Sequence, residues 1–177
     1  ERLSSGNRFT SPADDPGGLA VSMKLSNAIT VTSAVQSNVD NALSFAETQE
    51  GTLDSAYSVL DEMSTLMVNY SSATASTSDK ESYAAEFKEL RLSLGDYMGE
   101  TFNGVSLFSS GNTSMQVYTS TRGDAGLAVS MAQPDLATAL TAGDGDKLYA
   151  VSSSETVSIS DFSSSDMDTA ISNVSSQ

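Results

Sequence analysis

The feature that most limits what this chain can become is a run of apolar residues spaced alternately by three and four, from about Ser11 to Tyr70. It includes Leu25, Ala28/Ile29, Val35, Val39, Ala42/Leu43, Ala46, Leu53, Ala56/Tyr57, Leu60, Met63 and Leu66/Met67. Such spacing is the seam of an α-helix packing along a partner helix. Within the stretch no proline follows Pro16, and Gly51 is the only glycine after Gly18, so little interrupts it. At ~1.5 Å per residue the helix would be about 90 Å long, too long for the interior of a compact globule of this size. The expected fold is therefore mainly α, an elongated antiparallel helical bundle or coiled coil built on one very long helix, with a β-hairpin.

Ser11-Pro12-Ala13-Asp14 reads as a helix start, and Pro16-Gly17-Gly18 weakens the next turn and offers a second start or a bend. Ser11 suits the N-cap, Pro12 the first turn, and Asp14 the capping-box carboxylate. Residues 1–10 precede it as a polar connector. Around Ser71 to Thr77 the pattern dissolves into a connection, and Ser78-Asp79-Lys80-Glu81 reads as a second capping box opening a helix over 78–98. Tyr83, Phe87, Leu90, Leu94 and Tyr97/Met98 share one face of that helix, which is expected to fold back on the end of the first.

Residues 99–131 read as a loop and a β-hairpin. Asn103-Gly104 is a turn signal, and the strands Met115–Thr119 and Leu127–Met131 flank Arg122-Gly123-Asp124. Residues 132–164 read as a short insertion, with a helix at Leu136–Leu140 and minor strands at Leu148–Val151 and Thr156–Ile159. Met167, Ala170, Ile171 and Val174 restart a helical spacing over 165–177. The whole reads as a single elongated domain.

Composition narrows the chemistry. There is no cysteine and no histidine, which removes disulfides, a thiolate nucleophile and the commonest general base and transition-metal ligands. No catalytic, cofactor or metal site is expected. The 8 basic and 23 acidic residues give a formal charge of −15, which argues against nucleic acid and anionic membrane as partners. No apolar run approaches the ~18 residues of a membrane span, and the first residues given show no signal-peptide pattern.

Candidate sites each have a plainer reading. Arg122-Gly123-Asp124 matches an integrin-binding tripeptide, but Gly-Asp between two strands is also simple turn chemistry. Asp144-Gly145-Asp146 with Glu155 has part of an EF-hand spacing, yet Leu148 and Tyr149 stand where that loop needs an oxygen ligand and a glycine. Asp54, Asp61 and Glu62 read as a solvated acidic helix face, and Met63, Met67, Tyr57 and Tyr70 as seam packing. The sequons at Asn69, Asn112 and Asn173 are of the kind that arise by chance in a Ser-rich chain.

Several motifs, in order, resemble bacterial flagellin. They are Glu1-Arg2-Leu3-Ser4-Ser5-Gly6 with Ser11 through Ala20, then Ala46 through Leu53, then Thr101 through Phe108, and finally Ala170 through Gln177. The match covers about residues 1–131 and 165–177. The resemblance implies the rod-shaped core of a filament subunit, without the terminal helices through which flagellins polymerise. It implies identical subunits as partners, packing through Leu3, Ser5, Gly6, Asp14, Asp15 and Leu19. The hairpin with its turn at Arg122, Gly123 and Asp124 would set alternative packings. Through the terminal helices absent here it implies an export chaperone and hook-associated proteins as further partners, and an extracellular location reached by the flagellar type III route.

One departure concerns Toll-like receptor 5, the innate receptor that reads many flagellins on the long helix. By resemblance Glu62, Leu66 and Glu86 face that receptor, but Glu62 stands where those flagellins carry an arginine. A reversed charge at an interface costs several kcal/mol, so weak or absent receptor binding is expected. The alternative readings are a hook–filament junction protein, toward which Asp14-Asp15-Pro16 leans, and a secreted helical adhesin using Arg122-Gly123-Asp124. An enzyme is the weakest, since the metallopeptidase inserted in some flagellins needs histidines that this chain lacks.

Overall fold

The computed structural model describes residues 16–121, 126–141, 145–150, 152, 154 and 157–177. The chain is mainly helical. Helix α1 runs Pro16–Ser71, 56 residues, and α2 runs Thr77–Met98. Two short strands, β1 (Thr101–Phe102) and β2 (Val105–Ser106), form a small antiparallel ladder. Strands β3 (Thr113–Tyr118) and β4 (Ala128–Gln133) pair as a second two-stranded sheet. A four-residue helix α3 (Leu136–Ala139), a 3-10 turn (Ile159–Asp161) and α4 (Ser164–Ser175) complete the order. The expected cap at Ser11–Asp14 lies outside the described residues.

The chain divides into two compact units. One holds the described part of residues 1–43 together with that of Gln116–Ser130. In it Gln116 Nε2 donates to Ser130 Oγ at 2.6 Å, and Thr119 N donates to Leu127 O at 3.0 Å. Those opposed pairs fit an antiparallel register. The expected turn at Arg122-Gly123-Asp124 lies outside the described residues.

The other unit, Ser44–Met115 with Met131–Gln177, carries the hydrophobic core. From α1 come Phe45, Ala56, Leu60, Met63, Leu66 and Met67; from α2, Phe87 and Leu94; from α4, Met167, Ala170 and Val174. Residues of the 132–164 segment belong to the same core: Leu136, Leu140, Leu148, Ile159 and Phe162 are all buried there. Apolar side chains on so short a segment have no core of their own to enter, so they complete that of the helices.

Local sequence explains most boundaries. Helix α2 is capped by Ser76, not Ser78. The Ser76 hydroxyl accepts from Asp79 N at 3.2 Å, and Asp79 accepts from Ser76 N at 3.0 Å. Both overlapping tetrads satisfy the capping-box pattern, and the backbone settles on the first. Asn103 and Gly104 take φ of 51° and 79° between the paired residues Phe102 and Val105, the geometry of a type I′ turn. Leu148–Ala150 and Ile159 do not form the expected minor strands. Leu148 N donates to Leu140 O, Ala150 N donates to Arg91 O, and Ile159 enters the 3-10 turn. The segment meets a helix-edge carbonyl where a strand would need a ladder partner.

Candidate interaction surfaces

The N-terminal part of α1 presents its apolar seam to solvent. Val21, Leu25 and Ile29, spaced by four, are each more than 60% exposed, and Met23, Val39 and Leu43 are exposed too. Leu25, Ala28, Ile29, Thr32 and Gln36 line a shallow concavity of about 370 Å³ on that face. A row of apolar residues left open at helical spacing marks a surface for another helix.

In the second unit an open groove of about 770 Å³ lies against α1 and the end of α4. Glu47, Glu50, Gly51, Asp54 and Tyr57 form one wall, and Val174 and Ser175 stand on the other. Three carboxylates make it unsuited to an anion. A Cβ at Gly51 would meet nothing within 4 Å, so no packing inside the chain requires glycine there. Among the described residues no cluster of three or more Asp or Glu is placed to hold a metal ion, and no helix is long and apolar enough to cross a membrane.

A polar hub fixes the loops on α1. Gln49 Nε2 donates to Leu107 O at 2.7 Å and to Ala132 O at 3.3 Å. Gln133 Nε2 donates to Ser106 O at 2.6 Å, while its Oε1 accepts from Thr113 Oγ1 at 3.1 Å. Beside them Asp135 accepts from Gly111 N at 2.8 Å and from Thr138 N at 3.0 Å. The Thr138 amide, more than the Gly111 amide, holds the Asp135 carboxyl below the usual carboxylate range against the opposing effect of burial. Asp79 is lowered in the same direction, first by the Ser76 hydroxyl and then by the Ser76 amide.

Arg91 is the one charged side chain among the buried residues described, 1% exposed. Its Nη2 donates to Lys147 O at 2.8 Å and Tyr149 O at 3.1 Å, its Nη1 to Val157 O at 3.2 Å. The guanidinium lies 5.6 Å over the Phe162 ring. It ties the 147–162 segment to α2. Neither Arg91 nor the Gln49–Gln133 hub is among the residues predicted from the sequence. Pro134-Asp135 ahead of an apolar run did carry a helix-cap signal, whereas Arg91 carries no local mark, since its acceptors lie 56 to 66 residues away.

Of the residues singled out beforehand, Glu62 and Glu86 are exposed on α1 and α2, and Leu19 is half-buried in the first turns of α1. Leu66 sits in the core at 6% exposure, so its side chain offers little to a partner. Asp54 and Asp61 are exposed, Met63 and Met67 buried. Leu3, Ser5, Gly6, Asp14, Asp15, Arg122, Gly123 and Asp124 lie outside the described residues, as do Asp144 and Glu155.

A family model described as the bacterial flagellin N-terminal helical region matches residues 1–113, more than half of the chain and the span of α1, α2 and the β1–β2 ladder. The chain belongs to the bacterial flagellin family. A flagellin of Clostridium tyrobutyricum is 37% identical over 90 residues, 51% of this chain and 24% of that protein. A flagellin of Salmonella typhimurium is 33% identical over 114 residues, 64% of this chain and 23% of that protein. The phase 2 flagellin of the same organism matches at 33% over 114 residues, 64% of this chain and 22% of its own length. The chain thus spans about a quarter of the curated relatives it matches.

Proposed function

We propose that this chain is the core part of a structural subunit of the bacterial flagellar filament, self-assembling outside the cell into the helical propeller. The observation that carries the reading is the flagellin match through residue 113. The open apolar face of α1 over residues 21–43 supports it, because a subunit that assembles keeps part of its seam for other helices. Repeated heterologous contacts between identical subunits then build a tube, with Leu3, Ser5, Gly6, Asp14, Asp15 and Leu19 in the packing. The hairpin turn at Arg122, Gly123 and Asp124 adjusts that packing. Export by the flagellar type III route, a chaperone and hook-associated proteins complete the partners.

Electron microscopy tests this directly, on the chain joined to the terminal segments of a flagellin and seeded with filament fragments. Long thin filaments are expected. A monomer that only caps or joins filaments of another protein would turn the reading to the junction role, and one indifferent to filaments would overturn it.

For Toll-like receptor 5 the proposal is weak or absent activation. Glu62 and Glu86 are exposed, but Glu62 presents a negative charge where a positive one is read. A reporter-cell assay at ordinary flagellin doses is expected to stay near background and to rise for Glu62→Arg. Full activation by the unaltered chain would sink the idea.

A further inference from the structure

The chain holds one Asn-Gly pair, and the fold places it where it can react. We infer that Asn103 is a site of spontaneous deamidation, a covalent mark of the age of the molecule. Asn103 and Gly104 form the two-residue turn between Phe102 and Val105, and both are exposed. Among the described residues the Asn103 carboxamide has no hydrogen-bond partner, and the Gly104 N–H lies outside the β1–β2 ladder. A Cβ at residue 104 would meet nothing within 4 Å, so water and base approach freely.

The chemistry needs only water. The Gly104 amide nitrogen gives up its proton to base and attacks Cγ of the Asn103 carboxamide. The new N–Cγ bond closes a five-membered succinimide, and the side-chain nitrogen, taking up a proton, leaves as ammonia. Water then opens the ring at either carbonyl. One opening leaves aspartate; the other leaves isoaspartate, in which the main chain runs through the former side chain. The net change is asparagine plus water to aspartate or isoaspartate plus ammonia, with no oxidant or reductant.

Asn112 supplies an internal control. It has the same backbone conformation, φ 50°, and is equally exposed. Yet its Oδ1 accepts from Asp135 N at 2.7 Å, and the following amide, Thr113 N, donates to Ser109 Oγ at 3.1 Å. Both reacting groups are held, and Thr113 adds the Cβ that hinders attack. Asn27, Asn38, Asn41, Asn69 and Asn173 lie within α1 and α4, where helical hydrogen bonds hold the main chain.

Isoaspartate at 103 lengthens the main chain inside a tight turn and breaks the Phe102–Val105 register. Phe102 packs edge-on against Phe45 with ring centroids 6.0 Å apart, and Leu107 N donates to Glu100 O just behind the ladder. Conversion therefore loosens the loop from α1 and adds a negative charge to a chain already at −15.

The test is peptide mapping by mass spectrometry after incubating the folded chain in mildly alkaline buffer, with isoaspartate scored by enzymatic methyl acceptance. Asn103 is expected to convert on the order of tenfold faster than Asn112, the ratio reflecting the missing Cβ on residue 104. Asn103→Gly suits the positive φ of the turn, is expected to fold as the unaltered chain does by circular dichroism, and should lose the methyl-accepting signal. A parallel sample in denaturant shows the rate set by the dipeptide alone. If the denatured chain converts while folded Asn103 lags to the rate of Asn112, the turn protects the site and the inference fails.

Discussion

The two parts of α1 carry the same three-and-four spacing and meet different fates. From Ser44 to Ser71 much of the seam is buried, with Ala56, Leu60 and Met63 fully inside a core shared with α2, the 132–164 segment and α4, although Tyr57, expected to pack in the seam, is 42% exposed. From Pro16 to Leu43 no residue is buried, and Leu25 and Ile29 stand open. Periodicity therefore specifies a face, while burial depends on what else the chain brings to it. In the well-packed unit the covering segments arrive from far along the sequence; over 16–43 no described residue is buried.

That contrast can be broken most sharply at Arg91. Arg91→Ala is expected to destabilise the Ser44–Gln177 unit by on the order of 4 kcal/mol in denaturant unfolding, since each buried carbonyl left without a donor costs ~1–3 kcal/mol. A loss near zero would mean that water replaces the guanidinium and that packing alone holds residues 147–162. Leu60→Ala comes next, at about 3 kcal/mol, the usual range for truncating a fully buried leucine. The matching change in the open seam, Leu25→Ala, is expected to stay within ~0.5 kcal/mol as an exposed substitution, yet to impair filament growth in a light-scattering assay. Equal losses at the two leucines would erase the distinction.

Smaller effects sharpen it. Ser76→Ala removes the N-cap of α2 and is expected to cost about 1 kcal/mol. Its pH dependence follows from Asp79, whose carboxyl is held below its ordinary range. A depressed carboxylate contributes stability above its unfolded pKa, near 3.9 for Asp, and loses it as pH falls through the lower folded value. Acid titration of the unaltered chain should show that loss at Asp79 and Asp135, and Ser76→Ala should flatten the Asp79 share. Gly51→Ala meets no steric obstacle within the chain and is expected to raise the melting midpoint, worth roughly 0.5–1 kcal/mol. A variant more stable yet unable to assemble would place a neighbouring molecule against Gly51.

Much of the fold was legible from the residues. The long helix, the second helix ending at Met98, the Asn103-Gly104 turn and the Leu136 helix all follow from local rules that need no distant partner. The cap of α2 lies at Ser76, two residues before Ser78, because Ser76-Thr77-Ser78-Asp79 and Ser78-Asp79-Lys80-Glu81 satisfy the same pattern. Leu148–Val151 reads as a strand because a short apolar run fits either a ladder or a core plug, and its described part, Leu148–Ala150, is a core plug. Leu66 illustrates the limit for sites: its family alignment says which position it fills, and only packing shows that the side chain points inward.

By itself the sequence determined the helical class, the Asn103-Gly104 turn and the lack of histidine and cysteine side chains, because propensity, capping and composition act within a few residues. The tertiary structure decided which half of the seam is covered, that residues 132–164 complete the core, and that Arg91 joins three distant carbonyls. Those outcomes depend on contacts between segments far apart in the chain, and hydrophobic burial and hydrogen bonding carry no record of them in the local pattern.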